Sequence, residues 1–177
     1  ETGSERDGDV PGLRAALLAA LPELIGAFNA NRAGEGAALV AVLETQLSDI
    51  GTLVEQATEQ AADRASTAAE RLRDNVARVM GAADGLDQTR LTQEIALLAV
   101  KSDITEEIDR LRAHVEAARE LIGGQGPVGR KLDFLIQEFN REANTLCSKA
   151  QSTALTATGL DLKSVIDQMR EQVQNLE

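Results

Sequence analysis

The stretch Leu43-Glu44-Thr45-Gln46-Leu47-Ser48-Asp49-Ile50-Gly51-Thr52-Leu53-Val54 opens a pattern that decides the fold. Leu43, Leu47, Ile50 and Val54 lead into Ala57, Ala61, Ala65, Ala68, Leu72, Val76 and Val79, with one apolar residue every three or four positions. That is the spacing of one helix face. No proline interrupts it, and Gly51 is its one weak point. A helix from about Gly36 to Met80 would hold ~45 residues and span ~68 Å. A helix of this length reads as an arm that packs on another helix as a hairpin or coiled coil. Ala57 to Ala69 is rich in alanine, so a partner helix could approach it closely.

Working outward, an earlier helix runs from about Pro11 to Arg32, with Leu13, Leu17, Leu21, Leu24 and Phe28 on one face. Pro11 suits a first turn, whereas Pro22 should kink or break the helix, and Gly34 with Gly36 should end it. Gly81 to Asp87 reads as a turn. A third helix starts near Asp87 or Thr89, carries Leu91, Ile95 and Leu98, and is interrupted at Ser102-Asp103, where Asp103 and Glu106 have capping-box character. It resumes through Ile104, Ile108, Leu111, Val115 and Leu121 and stops at the glycine-rich loop Gly123–Gly129. A fourth helix covers about Arg130–Gln151 and a fifth about Leu160–Asn175. The fold class is all-α: a long antiparallel helical hairpin or coiled-coil arm with a C-terminal helical bundle.

Composition agrees. Of 177 residues, 43% are apolar, but only Phe28, Phe134 and Phe139 are aromatic, so alanine and leucine must fill the core. Sheet proteins draw more on aromatic and β-branched side chains. The net charge of −11 argues against a polyanionic partner, since phosphate binding needs clustered Lys and Arg. The acidity is uneven, however. Residues 1–70 carry 4 basic and 12 acidic side chains, net −8, whereas residues 130–177 carry 6 and 7, net −1. The single Cys147 excludes an internal disulfide and a thiolate zinc site. The longest apolar run is far short of the ~20 residues that cross a bilayer, and Glu1 to Asp9 is too acidic for a signal peptide. No membrane partner and a cytoplasmic location are expected.

Chemistry is sparse. The Gly123–Gly129 loop lacks the Lys-Ser/Thr of a phosphate-binding loop. The lone His114 is informative through its neighbours. At 100° per residue, Glu107 lies ~20° from His114 around the helix, with Asp103 within ~40° and Arg110 within ~60° of Glu107. Glu138 and Glu142, four apart on the next helix, project together. Carboxylates and an imidazole without thiolate suit Mn²⁺ or Mg²⁺. Arg130, Lys131, Arg141 and Lys149 are a possible RNA-binding set. Solvated salt-bridged faces would give the same spacings.

The stretch from Arg130 to Thr145 reads Arg-Lys-Leu-Asp-Phe-Leu-Ile-Gln-Glu-Phe-Asn-Arg-Glu-Ala-Asn-Thr, and Asp103-Ile104-Thr105-Glu106-Glu107-Ile108-Asp109-Arg110-Leu111 precedes His114. Together with Arg90-Leu91-Thr92-Gln93-Glu94 and Glu35-Gly36-Ala37-Ala38-Leu39, these stretches resemble the C-terminal half of the YicC family of bacterial endoribonucleases. The resemblance is close over 86–177 and looser over 11–85. The family's chains begin with an additional α/β domain. The organisation implied is an end segment over 1–10, a helical arm over 11–85 and a catalytic domain over 86–177.

The resemblance implies a divalent-metal-dependent endoribonuclease acting on RNA as a ring-like homo-oligomer, a hexamer in the full-length family. Glu107, His114, Glu138 and Glu142 match its motif as metal ligands or general bases, with Asp103 and Asp109 as second choices. Glu142, Glu138, His114 and Arg110 are the catalytic set it suggests, and Arg110, Arg130, Lys131 and Arg141 are suited to hold phosphates. The competing readings are a non-catalytic oligomerisation scaffold and an RNA-binding regulatory module. The catalytic reading expects Glu107, His114, Glu138 and Glu142 within ~6 Å of one another around one ion.

Overall fold

The computed structural model describes residues 10–82, 88–124 and 126–174, and every regular element within them is a helix. There are five among the described residues: α1 (Val10–Ala82), α2 (Gln88–Ser102), α3 (Thr105–Gly123), α4 (Gly129–Lys149) and α5 (Thr153–Val173). The expected end segment over 1–9, most of the turn over 83–87, Gln125 of the glycine-rich loop and the last residues 175–177 lie outside them. The side chains of Val79, Leu91 and Leu98 also fall outside the description.

Pro22 does not break the helix, and the boundary expected at Gly34–Gly36 does not occur. A single helix of 73 residues runs through both. Proline removes one backbone hydrogen bond, and an interior glycine costs about 1 kcal/mol relative to alanine. The Ala- and Leu-rich sequence on either side has high enough helix propensity to carry the helix across these points.

The chain divides into two compact units, residues 1–41 and 42–177, and the division falls inside α1. In the first unit the expected apolar face exists but is exposed: Leu13, Leu17, Leu21, Leu24 and Phe28 all face solvent. Arg32 lies over the Phe28 ring, 5.7 Å from its centroid. By length and composition α1 also holds an 18-residue window able to cross a bilayer. That window is not an uninterrupted apolar run. Packing helices and signal sequences share its length and composition, so it assigns no membrane role.

In the second unit the first half of the apolar repeat is core. Leu43, Leu47, Ile50, Val54 and Ala57 are buried, whereas Ala65 and Ala68 are exposed. Polar clamps tie this part of α1 to the bundle. Arg112 of α3 grips both carboxylate oxygens of Glu55 at 2.8 and 2.9 Å and donates to Thr58. Gln60 accepts from Thr158 of α5 at 3.0 Å. Arg64 donates to the carbonyls of Lys149 and Ala150, each at 2.8 Å, and to that of Ser102. These carbonyls belong to helix ends, whose last groups lack partners inside the helix.

The break expected at Ser102-Asp103 is present. Its chemistry differs from a capping box: Oδ1 of Asp103 accepts from the backbone N–H and hydroxyl of Thr105 at 2.9 and 2.7 Å. Residues on α3 and α4 pair in reverse order, Glu107 with Lys149 and Arg110 with Glu142, so the two helices are antiparallel. Helix α4 presents Leu132, Leu135, Ile136, Phe139, Ala143 and Leu146 to the core.

Helix α5 begins at Thr153, seven residues before the Leu160 expected from the sequence. The Ser152 hydroxyl caps it by accepting from Leu155 N at 3.2 Å. Gln151, at φ 47°, turns the chain between the two helices. Threonines at 153, 156 and 158 weaken the helical signal, but burial of Leu155, Thr158 and Gly159 overrides it. Gly159 allows α4 and α5 to approach closely, since a methyl there would lie 2.5 Å from Cys147 Sγ.

Candidate functional site

Antiparallel packing of α3 on α4 brings His114 opposite Glu138 and Glu142. Each offers one ligand atom, and these atoms all lie within 4.8 Å of one another. The two carboxylates sit one turn apart on α4, where residues four apart share a face. Glu142 is buried and Glu138 is half-buried. Phe139 supports the imidazole from below, edge to face, with ring centroids 5.6 Å apart.

Two features set this cluster apart. Nε2 of His114 is buried and has no hydrogen-bond partner. A buried polar atom left unpaired costs free energy, so such atoms usually have a partner. Burial also pushes the His114 pKa below its ordinary value, against the opposing pull of Glu142 and Glu138, and nearby Arg110 adds to the lowering. The shift favours the neutral imidazole over the charged one.

Arg110 organises the second carboxylate. It donates to Glu142 Oε1 at 3.2 Å and pairs with Glu106, one turn earlier. The hydrogen bond to Glu142 is the leading cause of a raised Arg110 pKa. On the outer side, Arg141 stands 3.7 Å from Glu138 Oε2 and is largely exposed.

The lowered His114 pKa has a signed consequence. The unfolded state protonates first as pH falls through 6.5, the ordinary histidine value. Stability is therefore expected to drop from 6.5 downward until the lower folded pKa is reached. Melting temperatures of wild type and His114→Gln, measured from about pH 7.5 to 5.5, should diverge in slope, with wild type the steeper. Parallel slopes would mean that His114 is not buried in the neutral form.

The other expected site residues are placed differently. Glu107 does not belong to the cluster. It is buried, its Oε1 accepts from Lys149 Nζ at 2.8 Å, and its Oε2 has no partner. Lys149, expected to hold RNA, also donates to the Asp103 carbonyl at 3.1 Å, so its ammonium is engaged inside the fold. Asp103 precedes α3 and accepts from Thr105 in its first turn, and Asp109 pairs with Arg112 at 3.3 Å. Arg130 and Lys131 are exposed in the first turn of α4. Sequence reasoning missed the Phe139 support and the Glu107–Lys149 pair, both of which depend on contacts between helices. Phe139 adjoins Glu138 in sequence, which was the only available cue.

The family model described as "Endoribonuclease YicC-like, C-terminal" matches residues 57–177. A protein named "Probable endoribonuclease YicC" from Haemophilus influenzae is 39% identical over 172 residues, covering 97% of this chain and 59% of that protein. One of the same name from Clostridioides difficile is 41% identical over 108 residues, covering 61% of this chain and 37% of that protein. The chain thus spans less than two thirds of the length of either relative.

Proposed function

Because this chain belongs to the YicC-like endoribonuclease family, we propose that it carries the helical part of a divalent-metal-dependent enzyme that cleaves RNA. The ion would be held by His114, Glu138 and Glu142. One observation carries this reading: the buried, unpartnered Nε2 of His114 lies in a cluster with two carboxylates. A donor set of oxygen and imidazole without thiolate suits Mn²⁺ or Mg²⁺. Such an ion would supply Lewis-acid charge to a phosphoryl oxygen.

The chain's own residues divide the remaining work. Arg110 fixes the Glu142 carboxylate and adds a second positive charge where charge develops on phosphate. Glu138, the more exposed carboxylate, is the one a substrate hydroxyl or water could reach, and it would accept that proton. Phe139 packs edge to face against the imidazole and would help to hold its orientation. Homo-oligomer formation belongs to the same reading. The exposed ladder Leu13, Leu17, Leu21, Leu24 and Phe28 gives one chain an apolar surface to bury against another.

The test is RNA cleavage and thermal melting with Mn²⁺, with Mg²⁺ and with chelator. It uses this chain and one extended to the length of its relatives. Cleavage that needs the ion, together with a higher melting temperature in its presence, is the expected result. If neither chain cuts RNA and neither melts higher with either ion, the scaffold reading replaces this one.

A further inference from the structure

Helices α4 and α5 enclose a groove of about 660 Å³, lined by Asn140, Arg141 and Asn144 of α4 and by Lys163, Asp167 and Arg170 of α5. Its charged side chains are three cations and one carboxylate. The whole chain has the opposite balance, 18 cations to 29 acids. The groove therefore inverts the charge of the molecule locally. Among the described residues, neither Lys163 nor Arg170 is ion-paired. Both keep their charge available to an outside anion.

The neutral lining adds a second kind of chemistry. Asn140 and Asn144 lie four apart on α4, so their amides project in a row. Each offers two donors and an acceptor, which suit base edges and sugar hydroxyls. The groove contains no aromatic residue, so it offers bases no aromatic ring to stack on. Recognition there would run through phosphate charge and hydrogen bonds.

Arg141 connects this groove to the cluster already described. It lines the groove and also stands 3.7 Å from Glu138 Oε2. A strand lying along α4 could pass from one to the other without leaving the helix surface.

We propose that the α4–α5 groove binds the single-stranded RNA flanking the bond to be cut, with Lys163 and Arg170 on its phosphates and Asn140 and Asn144 on its sugar and base edges. This rests on the RNA reading above and extends it to α5. Single-stranded RNA suits a groove that combines cations with neutral amides, because its base edges are open to hydrogen bonding.

The test is equilibrium binding of a short, 2′-O-methylated single-stranded RNA in chelator, where no cleavage occurs, across a salt series. The double variant Lys163→Ala/Arg170→Ala is expected to bind roughly 2–30-fold more weakly, the range for two exposed ion pairs. Its log–log salt slope should shrink by about 1.4, from two lost phosphate contacts at ~0.7 each. Asn140→Ala should weaken binding without changing that slope. Arg119→Ala, which removes an exposed arginine paired with Glu116, is the control and should change neither. Circular dichroism confirms that each variant is folded.

Unchanged affinity and slope in the double variant would overturn the groove proposal. So would an equal loss in Arg119→Ala, or displacement of the RNA by poly-glutamate at equal charge concentration. Failure of metal-dependent cleavage with the groove effects intact would count against the catalytic reading alone.

Discussion

Glu142→Gln is expected to lower the RNA cleavage rate roughly 10²–10⁴-fold, the range for loss of a positioned acid–base or charge-bearing group. The side chain keeps its size and an oxygen for Arg110, but it loses the charge that would face an ion. Folding should change little by comparison. Arg110 is about half exposed, with a side-chain accessibility of 48%, so water can solvate its guanidinium when the partner is neutralised. The variant should therefore melt close to wild type while the rise in melting temperature caused by Mn²⁺ disappears. Glu106→Gln, which removes the other partner of the same arginine, should stay within about threefold of wild type in rate, because that carboxylate is exposed and its ion pair is weak. A Glu142→Gln rate within that same margin would remove Glu142 from the catalytic set.

Phe139→Ala is expected to destabilise the protein by about 3–5 kcal/mol, measured by urea unfolding. Phe139 is wholly buried on the inner face of α4, and no smaller side chain fills its place. Phe134→Ala, in the same helix, should fall within about 0.5 kcal/mol of wild type, because that ring is 63% exposed. Phe139→Leu separates packing from site support. It should recover most of the stability, since it restores much of the volume, yet His114 would still lack its ring contact. A Phe139→Leu protein that is both stable and fully active would show that the ring serves only the core.

Much of the bundle was legible in the sequence. The break before α3 and the helical pairing of Glu138 with Glu142 follow from local spacing, and both are found. Glu107 shows where such reasoning stops. It lies only ~20° from His114 around the helix, but seven residues are ~10 Å along its axis. Shared angle places two groups on one face without placing them in one cavity. Antiparallel α4 then gives each a different partner, Lys149 for Glu107 and the carboxylates for His114. That register depends on packing between distant segments, so no local window contains it. The start of α5 was obscured for a related reason. Its threonines lower the local signal, and the burial that overrides them is tertiary. At Pro22 the helix continues, because one missing hydrogen bond does not end a helix built largely of alanine and leucine.

The three carbonyls gathered by Arg64 come from α2, from α4 and from the residue after it, while the guanidinium belongs to α1. If this part of α1 detached, three backbone acceptors and one cation would lose their partners in one event. Fraying therefore cannot advance through this point one residue at a time. From Leu43 to Arg64, α1 is expected to open together with the bundle as one cooperative block, and amide exchange in this stretch should proceed at the rate of the α3–α5 core.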